Sequence, residues 1–260
     1  MSFNNEEIGT PFILVRGGKS DGEIIYVSKG NEEDKGKKSV IKKDALKSLH
    51  CEKGKFFQIP NNEVRVVYIT GPSGSGKSTK VKDYASMYNK LYPEATIYLF
   101  SRLDHDTSLE GLPVRRIHLS EDLVTNPLEI EEVKENSMVI FDDCDAISNK
   151  KLSDSIYQFQ IQLLELGRHM NIQVVMTSHL IIGAKSQAQA RTILNEMQSL
   201  TVFPGSGSAS QISYVLGKYF GMTKKQITKL LAMDSRSVTI IKTYPQFVIA
   251  EHEAIFVSQL

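Results

Sequence analysis

The run Gly71-Pro72-Ser73-Gly74-Ser75-Gly76-Lys77-Ser78-Thr79 restricts the fold of this chain more than any other feature. It satisfies G-x-x-x-x-G-K-[ST] in full. Before it stands a β-branched apolar run (63–70, EVRVVYIT), and after it a helical segment (77–91) that Pro93 stops. A loop of this kind sits between the carboxyl end of a strand and the start of a helix. Its glycines let backbone N–H groups turn inward around phosphate oxygens, and the helix N-terminus adds partial positive charge. Such a unit needs parallel strands beside it, so the motif predicts an α/β sheet.

The rest of the chain supplies them. Strands are expected at 96–100, 116–119, 138–141, 172–177 and 201–203, the longer ones reading as unbroken apolar runs. An amphipathic helix over 151–166 carries Ile156, Phe159, Leu163 and Leu166 on one face. Two helices broken by Gly221 follow, and a strand pair (237–243 and 247–250) closes the chain around Tyr244-Pro245. Upstream, 11–16 and 23–28 read as two short strands around the turn GGKSDG, and 31–60 is polar and Lys-rich. The expectation is an α/β P-loop fold with a mostly parallel central sheet covered on both faces. It divides into a β-rich, Lys-rich extension (1–60) and a phosphate-loop domain (61–260).

Composition narrows the class without choosing within it. At 260 residues, with 41% hydrophobic and 23% charged residues, the chain is globular rather than disordered. Its net charge of +1 hides an acidic middle (12 basic, 17 acidic over 61–179) and a basic end (8 basic, 4 acidic over 180–260). The stretch 35–55 carries eight lysines against Asp44 and Glu52, which suits a solvated surface or a phosphate-tracking patch. Two cysteines, Cys51 and Cys144, are too few for a disulfide framework or a Cys-based zinc site. The first ten residues lack the basic and apolar regions of a signal peptide, and no run of 18 apolar residues suggests a membrane span.

The chemistry follows from residue types. Lys77 is placed to bridge β- and γ-phosphates, and Ser78 to offer a hydroxyl to Mg²⁺. The strand 138–141 runs into Asp142 and Asp143. An acid at that strand end can hold the Mg²⁺ shell, for which Asp142 is the candidate. Asp143 then sits where a general base deprotonates water, with Asp145 as the alternative. Cys144 reads as a packed or turn residue. A guanine-gripping N-K-x-D is missing, since Asn149-Lys150-Lys151-Leu152 lacks the acid, and no LSGGQ-type segment occurs. A further strand ending in Thr177-Ser178-His179 suggests an additional-strand ATPase with a polar sensor, His179, facing the γ-phosphate.

One segment makes a resemblance specific. Leu164-Glu165-Leu166-Gly167-Arg168-His169-Met170-Asn171-Ile172, followed by VVMTSH, resembles the G-R-H-x-N-I segment of genome-packaging ATPases of large DNA viruses, the poxvirus-type members of the FtsK–HerA superfamily. The segments 97–102 (IYLFSR) and 191–196 (RTILNE) and the pair Ser235-Arg236 are similar to those of giant-virus ATPases. The resemblance covers roughly residues 60–250. It implies ATP and Mg²⁺, a ring of identical subunits, and double-stranded DNA translocated into a capsid. It also implies capsid or portal-like vertex partners, and residence in the virus factory of the host cytoplasm and in the virion. At the Arg168 position an arginine finger would reach a neighbour's nucleotide, Arg191 and Arg236 being the other candidates; the alternative for Arg168 is a cation complementing a helix C-terminus. His169 reads as packed or capping.

Two positions depart from the family pattern. Asp143 replaces Glu, so the base is shorter, and Thr177-Ser178-His179 stands where Gln is usual. Two other readings stay open at this point: a P-loop nucleotide or small-molecule kinase, and a nucleotide-binding virion scaffold with little turnover. For a DNA grip, Lys224, Lys225 and Lys229 on the second late helix are the best-placed cations, with simple solubility as the alternative.

Overall fold

The computed structural model describes residues 1–29, 46–102, 109–181 and 187–260. Most of the Lys-rich stretch, 35–45, lies outside the described residues. Of its remaining lysines, Lys47 donates to the Met1 carbonyl at 2.6 Å and Lys55 pairs with Glu251 at 3.3 Å.

The strands are β1 (Ser2–Asn4), β2 (Thr10–Arg16), β3 (Ile24–Ser28), β4 (Ser48–His50), β5 (Lys55–Gln58), β6 (Val66–Thr70), β7 (Ile97–Ser101), β8 (Val114–His118), β9 (Met138–Asp142), β10 (Gln173–Ser178), β11 (Ser199–Val202), β12 (Val238–Ile241), β13 (Phe247–Ile249) and β14 (Glu253–Phe256). The helices are α1 (Lys77–Leu91), α2 (Asp122–Thr125), α3 (Lys150–Leu166), α4 (Gln187–Glu196), α5 (Ala209–Phe220) and α6 (Lys224–Leu231). Ten strands form one sheet in the order β4-β14-β13-β12-β11-β6-β10-β9-β7-β8. From β11 to β8 every pairing is parallel; from β11 back to β4 every pairing is antiparallel. The expected mostly parallel α/β sheet is therefore present, and β10 is the additional strand, inserted between β6 and β9.

Every residue of β6, β7, β9, β10 and β11 is buried, which is why β6, β7, β9 and the middle of β10 read as apolar runs rather than alternating ones. One core fills the face under α3, α5 and α6, with Phe100, Phe141 and Phe159 in mutual ring contact. On α3, Ile156, Phe159 and Leu163 are buried as expected, but Leu166 is 48% exposed. The helix gives way to a 3₁₀ turn at Gly167–Met170, so its last residue leaves the buried stripe, and Leu152 and Leu164 complete that face instead.

The second core lies on the opposite face, between the large sheet, α1 and a small antiparallel sheet ordered β1-β3-β2-β5. Phe3 stacks on Phe256 at 4.3 Å between centroids, and Phe12 meets Phe247 edge-on at 5.0 Å. Burying each ring contributes roughly 1.5–3 kcal/mol. Sequence patterning missed β1, β4, β5 and β14, which are three or four residues long. Strands that short carry too little periodicity to register; they are fixed by their neighbours, as when β4 extends the large sheet by pairing with β14.

Among the described residues no helix is long and apolar enough to cross a membrane.

Candidate active site

The carboxyl ends of β6, β10 and β9 meet at one edge, the place where parallel sheets bind ligands. Register puts Ser178 beside Thr70, and Gly71 N–H donates to the Ser178 carbonyl at 3.1 Å. The loop that follows can be built only with glycine at critical points. A Cβ on Gly71 would sit 2.7 Å from the Phe203 ring and 2.8 Å from Ser75 Oγ. Gly76 takes φ 115°, a conformation closed to side-chain-bearing residues, and from it α1 begins with no side-chain cap and no acid in its first turn. No cap and no acid of its own first turn therefore competes for the first N–H groups of α1.

Lys77 is 6% exposed. Its Nζ donates to the Gly71 carbonyl at 3.0 Å, approaches His179 Nδ1 at 3.4 Å and lies 3.7 Å from Asp143 Oδ1. An ammonium has no lone pair, so His179 Nδ1 is the acceptor and the neutral ring carries its proton on Nε2. That nitrogen is 3.1 Å from Asp143 Oδ2. The sheet thus brings Lys77, His179 and Asp143 into one chain of contacts from three separate elements.

Asp142 ends β9 and is buried, and Asp143 turns the chain with φ 46°, ψ 35°. Left-handed backbone is rare outside glycine, though Asp tolerates it better than most residues. Thr177 packs between the two acids: its Oγ1 accepts the Asp143 N–H at 2.8 Å and lies 2.8 Å from Asp142 Oδ1 and 3.1 Å from Asp143 Oδ1. Asp145 belongs to a different contact, accepting from Ser178 Oγ at 2.9 Å. Cys144 is buried, its thiol pushed up by burial and then by the neighbouring carboxylates Asp142, Asp145 and Asp143. It packs under the turn, as the sequence suggests. Arg102 reaches across from the end of β7 to the Ala146 carbonyl at 2.8 Å and braces that turn.

The residues available for a Mg²⁺ complex of a nucleotide fit it. Ser78 and Asp142 are hard oxygen donors, and Ser75 Oγ is buried with no partner among the described residues. Among the described residues no group of three His, Cys, Asp or Glu side chains could hold a metal unaided.

The arginine candidates separate. Arg236, just before β12, donates through Nε to the Ser75 carbonyl at 2.9 Å and through Nη2 to the Gly74 carbonyl at 3.1 Å. It braces the phosphate loop of its own chain, a role no local sequence pattern marks. Arg168 lies before β10, at the amino end of the parallel strands, where its carbonyl accepts from Arg65 Nη1 at 2.8 Å. The six residues of β10 separate it from the loop by roughly 20 Å, so it cannot reach the phosphate loop of its own chain. His169 accepts from Arg168 Nε at 3.4 Å. Arg191 borders a cleft of about 310 Å³ between α4 and α5 with Tyr214 and Tyr219. Lys224, Lys225 and Lys229 are all exposed on α6.

Loop, inserted strand and acids together define the P-loop NTPase fold in its additional-strand form. The chain belongs to the same family as the protein named "Uncharacterized protein V3" of Sputnik virophage, to which it is 40% identical over 245 residues, 94% of each chain. It matches no protein-family model. Among solved structures it is similar to the pCW3 conjugation coupling protein TcpA, monomer form with ATPγS, with a TM-score of 0.51 and 12% identity over 93% of this chain and 77% of that one. A looser likeness, TM-score 0.48 at 11% identity over 73% of this chain and 98% of the other, is to the genome packaging NTPase B204 from Sulfolobus turreted icosahedral virus 2 in complex with AMPPCP.

Proposed function

We propose that the protein is a Mg²⁺-dependent ATPase that moves double-stranded DNA, as a ring of identical subunits, into a viral capsid. The observation that carries the reading is the convergence of Lys77, His179 and Asp143 beside a complete phosphate loop. The GRHMNI segment and the kinship with a virophage protein direct it towards packaging. The loop from Gly71 to Thr79 cradles the phosphates with the backbone N–H groups that follow Pro72, and Lys77 exchanges its contacts with His179 and Asp143 for β- and γ-oxygens. Ser78 and Asp142 would hold Mg²⁺, which would supply charge neutralisation at the phosphates. Asp143 takes the proton of the attacking water, and His179 orients it through Nε2–H. The motor works in the virus factory and at the capsid or a portal-like vertex. Multiple-turnover phosphate release with and without duplex DNA tests this. A DNA-stimulated rate supports it, a phosphorylated small acceptor in place of free phosphate indicates a kinase, and no turnover indicates a scaffold.

Because Arg168 sits at the far pole of its own sheet, its catalytic use requires a neighbouring subunit. Arg168→Ala should lose most hydrolysis and keep ATP binding. Mixed with Lys77→Ala subunits it should regain part of the activity at hybrid junctions, where an intact loop faces an intact finger. An intact assembly with no recovery would count against action across the boundary.

The DNA grip falls to the exposed lysines of α6. Residues 203–231 contain no acid to oppose them. Affinity for duplex should be indifferent to sequence and fall steeply with salt. Replacing Lys224, Lys225 and Lys229 together with Gln should reduce the log–log salt slope by up to ~3 units, leaving basal hydrolysis intact. An unchanged slope would move the contact elsewhere.

A further inference from the structure

We propose that Thr177 is the positioning residue of this site, setting the backbone of Asp143 and the side chain of Asp142 through one hydroxyl; its consequence for turnover rests on the ATPase reading above. Thr177 is 4% exposed, the last residue but one of β10. The register that pairs Met176 with Phe141 brings it level with Asp142.

A hydroxyl has one proton and two lone pairs. One lone pair of Thr177 Oγ1 accepts the Asp143 N–H at 2.8 Å. The proton can serve one carboxylate at a time, and Asp142 Oδ1 at 2.8 Å is the nearer; Asp143 Oδ1 stands at 3.1 Å. With the proton on Asp142, Asp143 Oδ1 keeps its lone pairs for a water. The hydroxyl therefore assigns different tasks to adjacent, chemically identical acids: it steers Asp142 and fixes Asp143 while leaving one oxygen available. It also satisfies the N–H of a residue held in left-handed backbone, which would otherwise be free to relax. A β-branched residue suits the task because its χ1 is stiff within a strand.

Thr177→Val keeps the shape and removes the hydroxyl, leaving the Asp143 N–H unpaired. Thr177→Ser keeps the hydroxyl on a freer rotamer. In the full chain, kcat for ATP should fall about 10- to 100-fold in the Val variant, a cost typical of small misplacement of reacting groups, while KM changes little. The Ser variant should recover most of the rate. In a crystal structure of the Val variant, Asp143 should leave its left-handed conformation or Asp142 should rotate. Wild-type turnover with no change in the Val variant, or a Ser variant as impaired as Val, would overturn the proposal. If wild type itself did not hydrolyse ATP, the ATPase reading would fall. The crystallographic comparison would still decide on Thr177, since both acids unmoved in the Val variant would refute it. Should the Val variant not fold, hydrogen exchange in wild type decides instead: a protected Asp143 amide that loses protection in Thr177→Ala supports the role, and an unprotected one refutes it.

Discussion

Asp143→Asn should bind ATP with near wild-type affinity and lose turnover by about 10²–10⁴-fold, the range for removing a positioned general base. The substitution isolates proton transfer. Asn has nearly the volume of Asp and tolerates left-handed backbone, so the turn at φ 46° should survive. Its side-chain oxygen can still accept from His179 Nε2, as Asp143 Oδ2 does at 3.1 Å. An amide cannot take the proton of the attacking water. Binding measured by a fluorescent nucleotide, set against phosphate release from the same sample, separates the two effects. Near-normal turnover would transfer the role to Asp145, which the structure places on Ser178.

Lys77→Ala should be the more damaging change, because the proposed function gives the cation a part in both binding and reaction. Truncation removes a buried ammonium that contacts Gly71, His179 and Asp143. Charge-assisted hydrogen bonds contribute about 1.5–3 kcal/mol each, so loss of one or two to phosphate should weaken ATP binding by roughly tenfold or more. Losing a fixed positive charge where negative charge develops should cost a further ~10²–10³-fold in rate. Hydrolysis should fall below detection, with the fold intact by circular dichroism. Retained hydrolysis would mean that the chemistry happens elsewhere.

What was legible in the sequence was local. The phosphate loop announces itself because its glycines, lysine and hydroxyl act within nine residues, and the buried strands β6, β7 and β9 because apolar side chains dominate them. The helix 77–91 was readable to the residue, since Pro93 fixes its end. Contacts made across the sheet were not legible. Thr177 meets Asp142 and Asp143 over a separation of 34 to 35 residues. Arg236 reaches the loop across 161 to 162, and nothing near it in the chain distinguishes it from a trans finger. The same holds for β4, an edge strand whose partner β14 lies at the other end of the chain.

ATP-driven movement along duplex DNA is tested most directly by triplex displacement: a labelled third strand is bound to a duplex, and its release is followed with protein and ATP. Release that requires ATP hydrolysis, and that Lys77→Ala abolishes, is the expected result. A protein that hydrolyses ATP and binds duplex but leaves the third strand in place would not be a DNA-translocating motor.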